Sequence, residues 1–148
     1  MEKPFVLLAD DNEATSTLIT ALLQSDFVVE VASDGNEAIE KLKHRRYAVI
    51  LLDLLMPVFD GYAVLEFLRT ERPELLSRVL VVTAALGARE MQRLSSYKVC
   101  GVIAKPFEVD TLFNAVRECA GESEEPPIRG PLISGGMLLL LAEVLRRV

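Results

Sequence analysis

Five short apolar runs, each stopping at a polar residue, constrain the fold of this chain more than any other feature. The first is Phe5-Val6-Leu7-Leu8-Ala9, which stops at Asp10-Asp11. The others cover residues 27–32, 47–52, 79–82 and 99–104, and stop at Ser33, Asp53, Thr83 and Lys105. Apart from Glu30 in the second, the runs hold no charged residue, and runs of this length without polar alternation are those of strands covered on both faces. Between them lie segments of helical period, at residues 13–25, around Ala38-Ile39-Leu42, and at residues 62–70, 88–96 and 108–120. Asn12 is the expected N-cap of the first, with Ala14, Leu18, Ala21 and Leu22 as its apolar face. Ala63, Leu65, Phe67 and Leu68 mark the inner face of the third helix; Val109, Leu112, Phe113 and Val116 mark that of the last. Asp34-Gly35 reads as a turn. Strand and helix alternating five times predict an α/β domain, a doubly wound five-stranded parallel sheet. In such sheets the working site lies at the carboxyl ends of the strands.

Those ends carry chemistry. Strand one delivers Asp10 and Asp11, strand three Asp53, strand four Thr83 and strand five Lys105. Three carboxylates at one rim repel one another unless a cation lies between them. Hard oxygen donors of this kind suit Mg²⁺, which shares its coordination sphere with phosphate oxygens. A carboxylate so placed can attack phosphorus, while the metal and Lys105 neutralise charge developing on the phosphoryl oxygens. Thr83 can then donate its hydroxyl to a remaining oxygen. Each element has a plainer reading alone: an acidic pair can open a turn, Asp53 before Met56-Pro57 can start one, Lys-Pro can stop a strand, and threonine favours strands. Four such coincidences at four strand ends are improbable together.

Composition narrows the classes further. Among 148 residues, 51% are apolar and 26% charged, which supplies a core and a charged surface. The net charge of −6 leaves no basic stripe for direct nucleic-acid contact. The two cysteines, Cys100 and Cys119, fall in predicted apolar elements and read as small hydrophobes. A pair is too few for a disulfide framework, so a reducing cytoplasm is the expected compartment. Met1-Glu2-Lys3-Pro4 does not begin a signal peptide, and no apolar stretch reaches the ~20 residues of a membrane span. His44, the one histidine, lies in Lys43-His44-Arg45-Arg46 and reads as a helix end.

The chain resembles the receiver domain of two-component response regulators over residues 4 to about 120. The carriers are Leu7-Leu8-Ala9-Asp10-Asp11-Asn12-Glu13, Leu51-Leu52-Asp53-Leu54-Leu55-Met56-Pro57 with Asp60-Gly61, Val82-Thr83-Ala84, and Ala104-Lys105-Pro106-Phe107. The resemblance implies a flavodoxin-like fold with strand order 2-1-3-4-5. It implies Asp53 as phosphoacceptor, with Asp10, Asp11 and the Leu55 backbone carbonyl as further ligands of Mg²⁺ (or Mn²⁺), Asp11 the more direct carboxylate. Lys105 would pair with the phosphoryl group, Pro106 would follow a cis bond, and Thr83 would be the switch hydroxyl. Two features depart from the common pattern. Val102 stands where many receivers carry the aromatic residue that swings on phosphorylation. Leu55 and Ala85 stand where the family tunes phosphoryl lifetime, and neither can orient an attacking water, so a long-lived adduct is expected.

The expected function is therefore a phosphorylation-dependent signalling switch that catalyses only its own phosphorylation and dephosphorylation. Its expected donor is a sensor histidine kinase or histidine phosphotransfer protein, and its expected output a protein partner or homodimer. A Mg²⁺-dependent phosphohydrolase is the alternative, disfavoured because Leu55 occupies the position of that class's second aspartate. A nucleotide-binding sheet is disfavoured because no glycine-rich loop follows strand one. The expected organisation is a receiver domain over residues 1–120, a Pro- and Glu-containing linker over 121–136, and a short amphipathic helix or tail over 137–148. The 28 residues after 120 are too few for an effector domain, although the chain could itself be truncated before one.

Overall fold

A computed structural model describes residues 2–121 of the chain. The elements run β1 (Phe5–Ala9), α1 (Glu13–Leu23), β2 (Val28–Ala32), α2 (Gly35–His44), β3 (Val49–Leu52), α3 (Gly61–Glu71), a 3₁₀ segment (Pro73–Arg78), β4 (Val79–Thr83), α4 (Ala88–Leu94), β5 (Gly101–Ala104) and α5 (Val109–Cys119). All strand pairings are parallel, in the order β2-β1-β3-β4-β5. The sheet is thus the expected doubly wound one, with its first connection reversing direction between β1 and β3.

Strand alternation sends neighbouring residues to opposite faces, and each face has its own core. On one, Leu7, Ile50, Leu52 and Val81 meet Ala38, Leu42, Leu65 and Leu68 of α2 and α3. On the other, Val6, Leu8, Leu51 and Val82 meet Ile19 and Leu23 of α1 and Leu112 and Val116 of α5. Leu51 is wholly buried in the second core. Leu51→Ala is therefore expected to lower unfolding stability by about 2–5 kcal/mol, read as a fall in urea midpoint at unchanged slope.

Several expectations about local structure need correction. The buried face of α1 is Ser16, Ile19 and Leu23, not the stripe of Ala14, Leu18 and Ala21, which is exposed; Leu22 is half-buried. Charge normally marks the wet face of a helix, and α1 carries only Glu13, so its outer face looks apolar. Val109 likewise lies outside, 46% exposed, at the first residue of α5. Asp34-Gly35 does not form a free turn. Asp34 caps α2 by accepting from the Glu37 amide at 2.8 Å, and Gly35 opens the helix. A Cβ on Gly35 would lie 2.1 Å from the Phe59 carbonyl oxygen, so only glycine admits this approach of the β3–α3 loop.

The largest correction concerns the cysteines. Cys100 and Cys119 are joined by a disulfide, with Cα atoms 6.0 Å apart. Cys100 is exposed just before β5, and Cys119 is the buried last residue of α5. Proximity in the folded βα unit, which pattern along the chain does not disclose, makes them partners. The linker and tail expected over 121–136 and 137–148 lie outside the described residues, apart from Gly121. Among the described residues no helix is long and apolar enough to cross a membrane.

Candidate active site

The site is assembled by backbone before any side chain is considered. The Asp10 amide donates to Ala32 O, the Asp53 amide to Ala9 O and the Lys105 amide to Thr83 O, each at 3.0 Å. These bonds continue the ladders one residue beyond the strands and fix the ends of β1, β3, β4 and β5 in a common rim. Asn12 caps α1 from that rim, its side chain accepting from the Thr15 amide at 2.8 Å. Asp60 does the same for α3, accepting from Ala63 at 3.0 Å. Gly61 lets α3 start directly against the acceptor strand. A Cβ there would fall 2.4 Å from the Asp53 carbonyl oxygen, while the Gly61 amide donates to Leu54 O.

On this frame the three carboxylates converge. Asp10, Asp11 and Asp53 each place a carboxylate oxygen within 4.8 Å of the others. Asp10 and Asp53 are buried, whereas Asp11 is exposed. Lys105 Nζ bridges the two buried ones, 2.7 Å from Asp10 Oδ2 and 3.0 Å from Asp53 Oδ2. Their other oxygens accept backbone amides, Asp10 Oδ1 from Asn12 at 2.8 Å and Asp53 Oδ1 from Leu55 at 3.1 Å. Thr83 is fully buried at the end of β4, and its Oγ1 accepts from the Ala85 amide at 3.3 Å. The Lys105–Pro106 bond is cis, as the resemblance implied.

Burial acts against the Lys105 ammonium, but its hydrogen bonds to Asp10 and Asp53 outweigh that and raise its pKa above the ordinary lysine value. The sign follows from linkage. A pKa raised on folding contributes stability that is complete below the unfolded value, ~10.4, and lost as pH climbs through the folded one. Stability from urea titrations should therefore fall above about pH 10, and less steeply in Lys105→Gln than in the parent chain.

The donor set fits a hard divalent cation. It is all oxygen and anionic, Asp11 is open to solvent, and the clustered negative charge exceeds what one ammonium neutralises. Sequence reasoning missed the site's apolar margin. Leu55, Val58 and Phe59 are 58%, 72% and 45% exposed on the loop beside Asp53. Val58 adopts φ +68°, a left-handed conformation costly for a β-branched residue. The run Met56-Pro57-Val58-Phe59 gave little warning, because an apolar loop residue looks like one that will be buried.

Comparison with known proteins agrees with this geometry. Residues 6–117 match the family described as response regulator receiver domain. The signal transduction histidine-protein kinase BarA of Escherichia coli (strain K12) is 34% identical over 111 residues, covering 74% of this chain. The chain spans only 12% of that relative's length. Among solved structures, the receiver domain of sensor histidine kinase PA1611 from Pseudomonas aeruginosa PAO1, with a magnesium ion coordinated in its active-site cleft, is 26% identical. It aligns with a TM-score of 0.73 over 81% of this chain and 99% of that one. Chemotaxis protein CheY4 of Vibrio cholerae is 27% identical, with a TM-score of 0.73 over 80% of this chain and 99% of that one. With five parallel strands in this order, carboxylates gathered at their ends and a family match across three quarters of its length, the chain belongs to the response regulator receiver domains of two-component systems.

Proposed function

We propose that the chain is a phosphorylation-dependent switch in which Asp53 accepts a phosphoryl group from a histidine kinase or histidine phosphotransfer partner, or from a small acyl phosphate. The observation that carries this reading is the Lys105 bridge between Asp10 and Asp53 within a cluster of three carboxylates. Asp10, Asp11, Asp53 and the Leu55 carbonyl would hold Mg²⁺ or Mn²⁺. When bound, the metal supplies charge neutralisation for the incoming phosphoryl oxygens.

The chain's own residues do the rest. An Asp53 carboxylate oxygen attacks phosphorus, the bond from phosphorus to the donor's nitrogen or oxygen breaks, and an acyl phosphate remains on Asp53. The Leu55 amide orients that carboxylate by holding Oδ1. Lys105 already lies beside Oδ2 and follows the new charge without crossing the site. The Thr83 hydroxyl, buried at the neighbouring strand end, would turn toward the phosphoryl group and draw the β4–α4 loop with it.

Output would pass through α4 rather than through an aromatic swing. Val102 is half-buried and packed against the core. Arg93 of α4 stacks on the Tyr62 ring at 3.5 Å, and the Tyr97 hydroxyl donates to Glu66 at 2.5 Å. These contacts tie α4 and the segment after it to α3, and loop movement would strain them. The apolar margin of Leu55, Val58 and Phe59 suits a protein donor at the acceptor itself. ATP-dependent kinase partners would place the chain in the cytoplasm. On this reading it turns over no external substrate beyond its own phosphorylation and dephosphorylation.

Acetyl phosphate tests the proposal. With Mg²⁺ the full chain is expected to gain one phosphoryl adduct by intact mass, on Asp53, and to gain none after chelation. With Leu55 and Ala85 beside the acceptor, the adduct should outlast the minutes of sample handling after the donor is removed. Continuous release of inorganic phosphate without an adduct would favour the phosphohydrolase instead.

A further inference from the structure

The disulfide at the opposite end of β5 has no part in the chemistry above. We propose that Cys100–Cys119 is a reversible oxidation site that exchanges with small thiol–disulfide couples, entering through Cys100. These are the chain's only two cysteines, so neither has an alternative intramolecular partner.

Two observations carry the inference. The bond lies outside the load of the fold: β5 remains paired to β4 over residues 101–104, and α5 remains held by buried Leu112 and Val116. The Cys100 amide donates to Val79 O at 2.8 Å, so the entry to β5 stays anchored with the thiols free. The domain can therefore cycle between the two states without unfolding. Second, access is one-sided, since Cys100 is exposed and Cys119 is 9% exposed. Cys100 is thus the sulfur that meets an incoming thiolate and the one that starts re-closure.

The exchange balances with a small thiol as co-reactant. Its thiolate attacks Cys100 Sγ, the S–S bond breaks, and the electron pair leaves on Cys119 Sγ, which takes up a proton. A second small thiolate attacks the outer sulfur of the mixed disulfide and releases the Cys100 thiolate, which takes up a proton from solvent in its turn. The protein has then gained two electrons and two protons, and one small disulfide has formed. Oxidation closes the β5–α5 unit; reduction frees the end of α5, from which the chain continues at Gly121.

The test uses the full chain in glutathione buffers of graded ratio, followed by acid quenching, alkylation in denaturant and intact mass. Both cysteines should be alkylated together at reducing ratios and neither at oxidising ones, with circular dichroism unchanged. Hydrogen exchange at the last turn of α5 should quicken on reduction. With oxidised glutathione, Cys119→Ser should take one adduct at Cys100 about tenfold or more faster than Cys100→Ser takes one at Cys119. Thiols that stay free at every ratio, a bond that survives the most reducing one, or equal labelling of the two variants would each overturn the proposal. The parent-chain titration decides alone should a variant fail to fold. It is indifferent to whether Asp53 is phosphorylated.

Discussion

Asp53→Asn is expected to remove phosphoryl incorporation to background while leaving the domain folded. The substitution is nearly isosteric, and the amide oxygen can still accept from the Leu55 backbone N–H. Asp10 remains to hold Lys105 at 2.7 Å. The nucleophile itself is lost, because a carboxamide oxygen carries neither the charge nor the basicity for attack at phosphorus. Thermal unfolding should show a domain at least as stable as the parent, since one of three mutually repelling carboxylates is gone. Acetyl phosphate with Mg²⁺, read by intact mass and peptide mapping, checks both halves. Full labelling of the variant at any residue would refute the assignment of Asp53.

Lys105→Gln is expected to act in the other order, costing both stability and rate. Its ammonium is largely buried, 18% exposed, and pairs with two carboxylates exposed by 2% and 7%. Removing the cation leaves that negative charge uncompensated, which in buried pairs costs about 3 kcal/mol. Divalent cation should restore part of the loss, because the variant's carboxylates would then have a counter-charge; parallel urea titrations with Mg²⁺ and with a chelator measure it. Phosphorylation should slow by roughly 10²-fold, the scale on which a single charge-stabilising donor is worth in a transition state. A variant as stable as the parent and labelled at the parent's rate would show that the bridge has no such role.

Much of the fold was legible in the sequence because the three central strands are buried on both faces. Residues 5–9, 49–52 and 79–83 have no polar member before the last position, and helix-period segments separate them. The site was legible for a related reason. A parallel sheet puts every strand's carboxyl end at one edge, so Asp10, Asp53, Thr83 and Lys105 needed only correct strand ends to be brought together. What was obscure depended on three-dimensional neighbours. The outer face of α1 is poor in charge, so Ala14, Leu18 and Ala21 mimicked a core stripe while Ser16 took a buried place, near the Asp10 carbonyl. The 3₁₀ segment Pro73–Arg78 has one buried residue, Leu75, and no periodicity to announce it. Cys100 and Cys119 stand 19 residues apart, a spacing that says nothing until β5 and α5 fold back beside each other.

The ion pair between Lys105 and Asp10 joins positions 95 residues apart in the chain. No contiguous fragment shorter than that contains both ends of it, and neither end is positioned until β1 and β5 occupy their places in one sheet. A nascent or proteolytically clipped receiver lacking β5 would still carry Asp53 and its neighbours, yet without the lysine and the edge strand it would be a poor substrate for any donor. On the proposed function, competence to accept a phosphoryl group would be contingent on the whole domain having been synthesised and closed, so that damaged copies would stay silent.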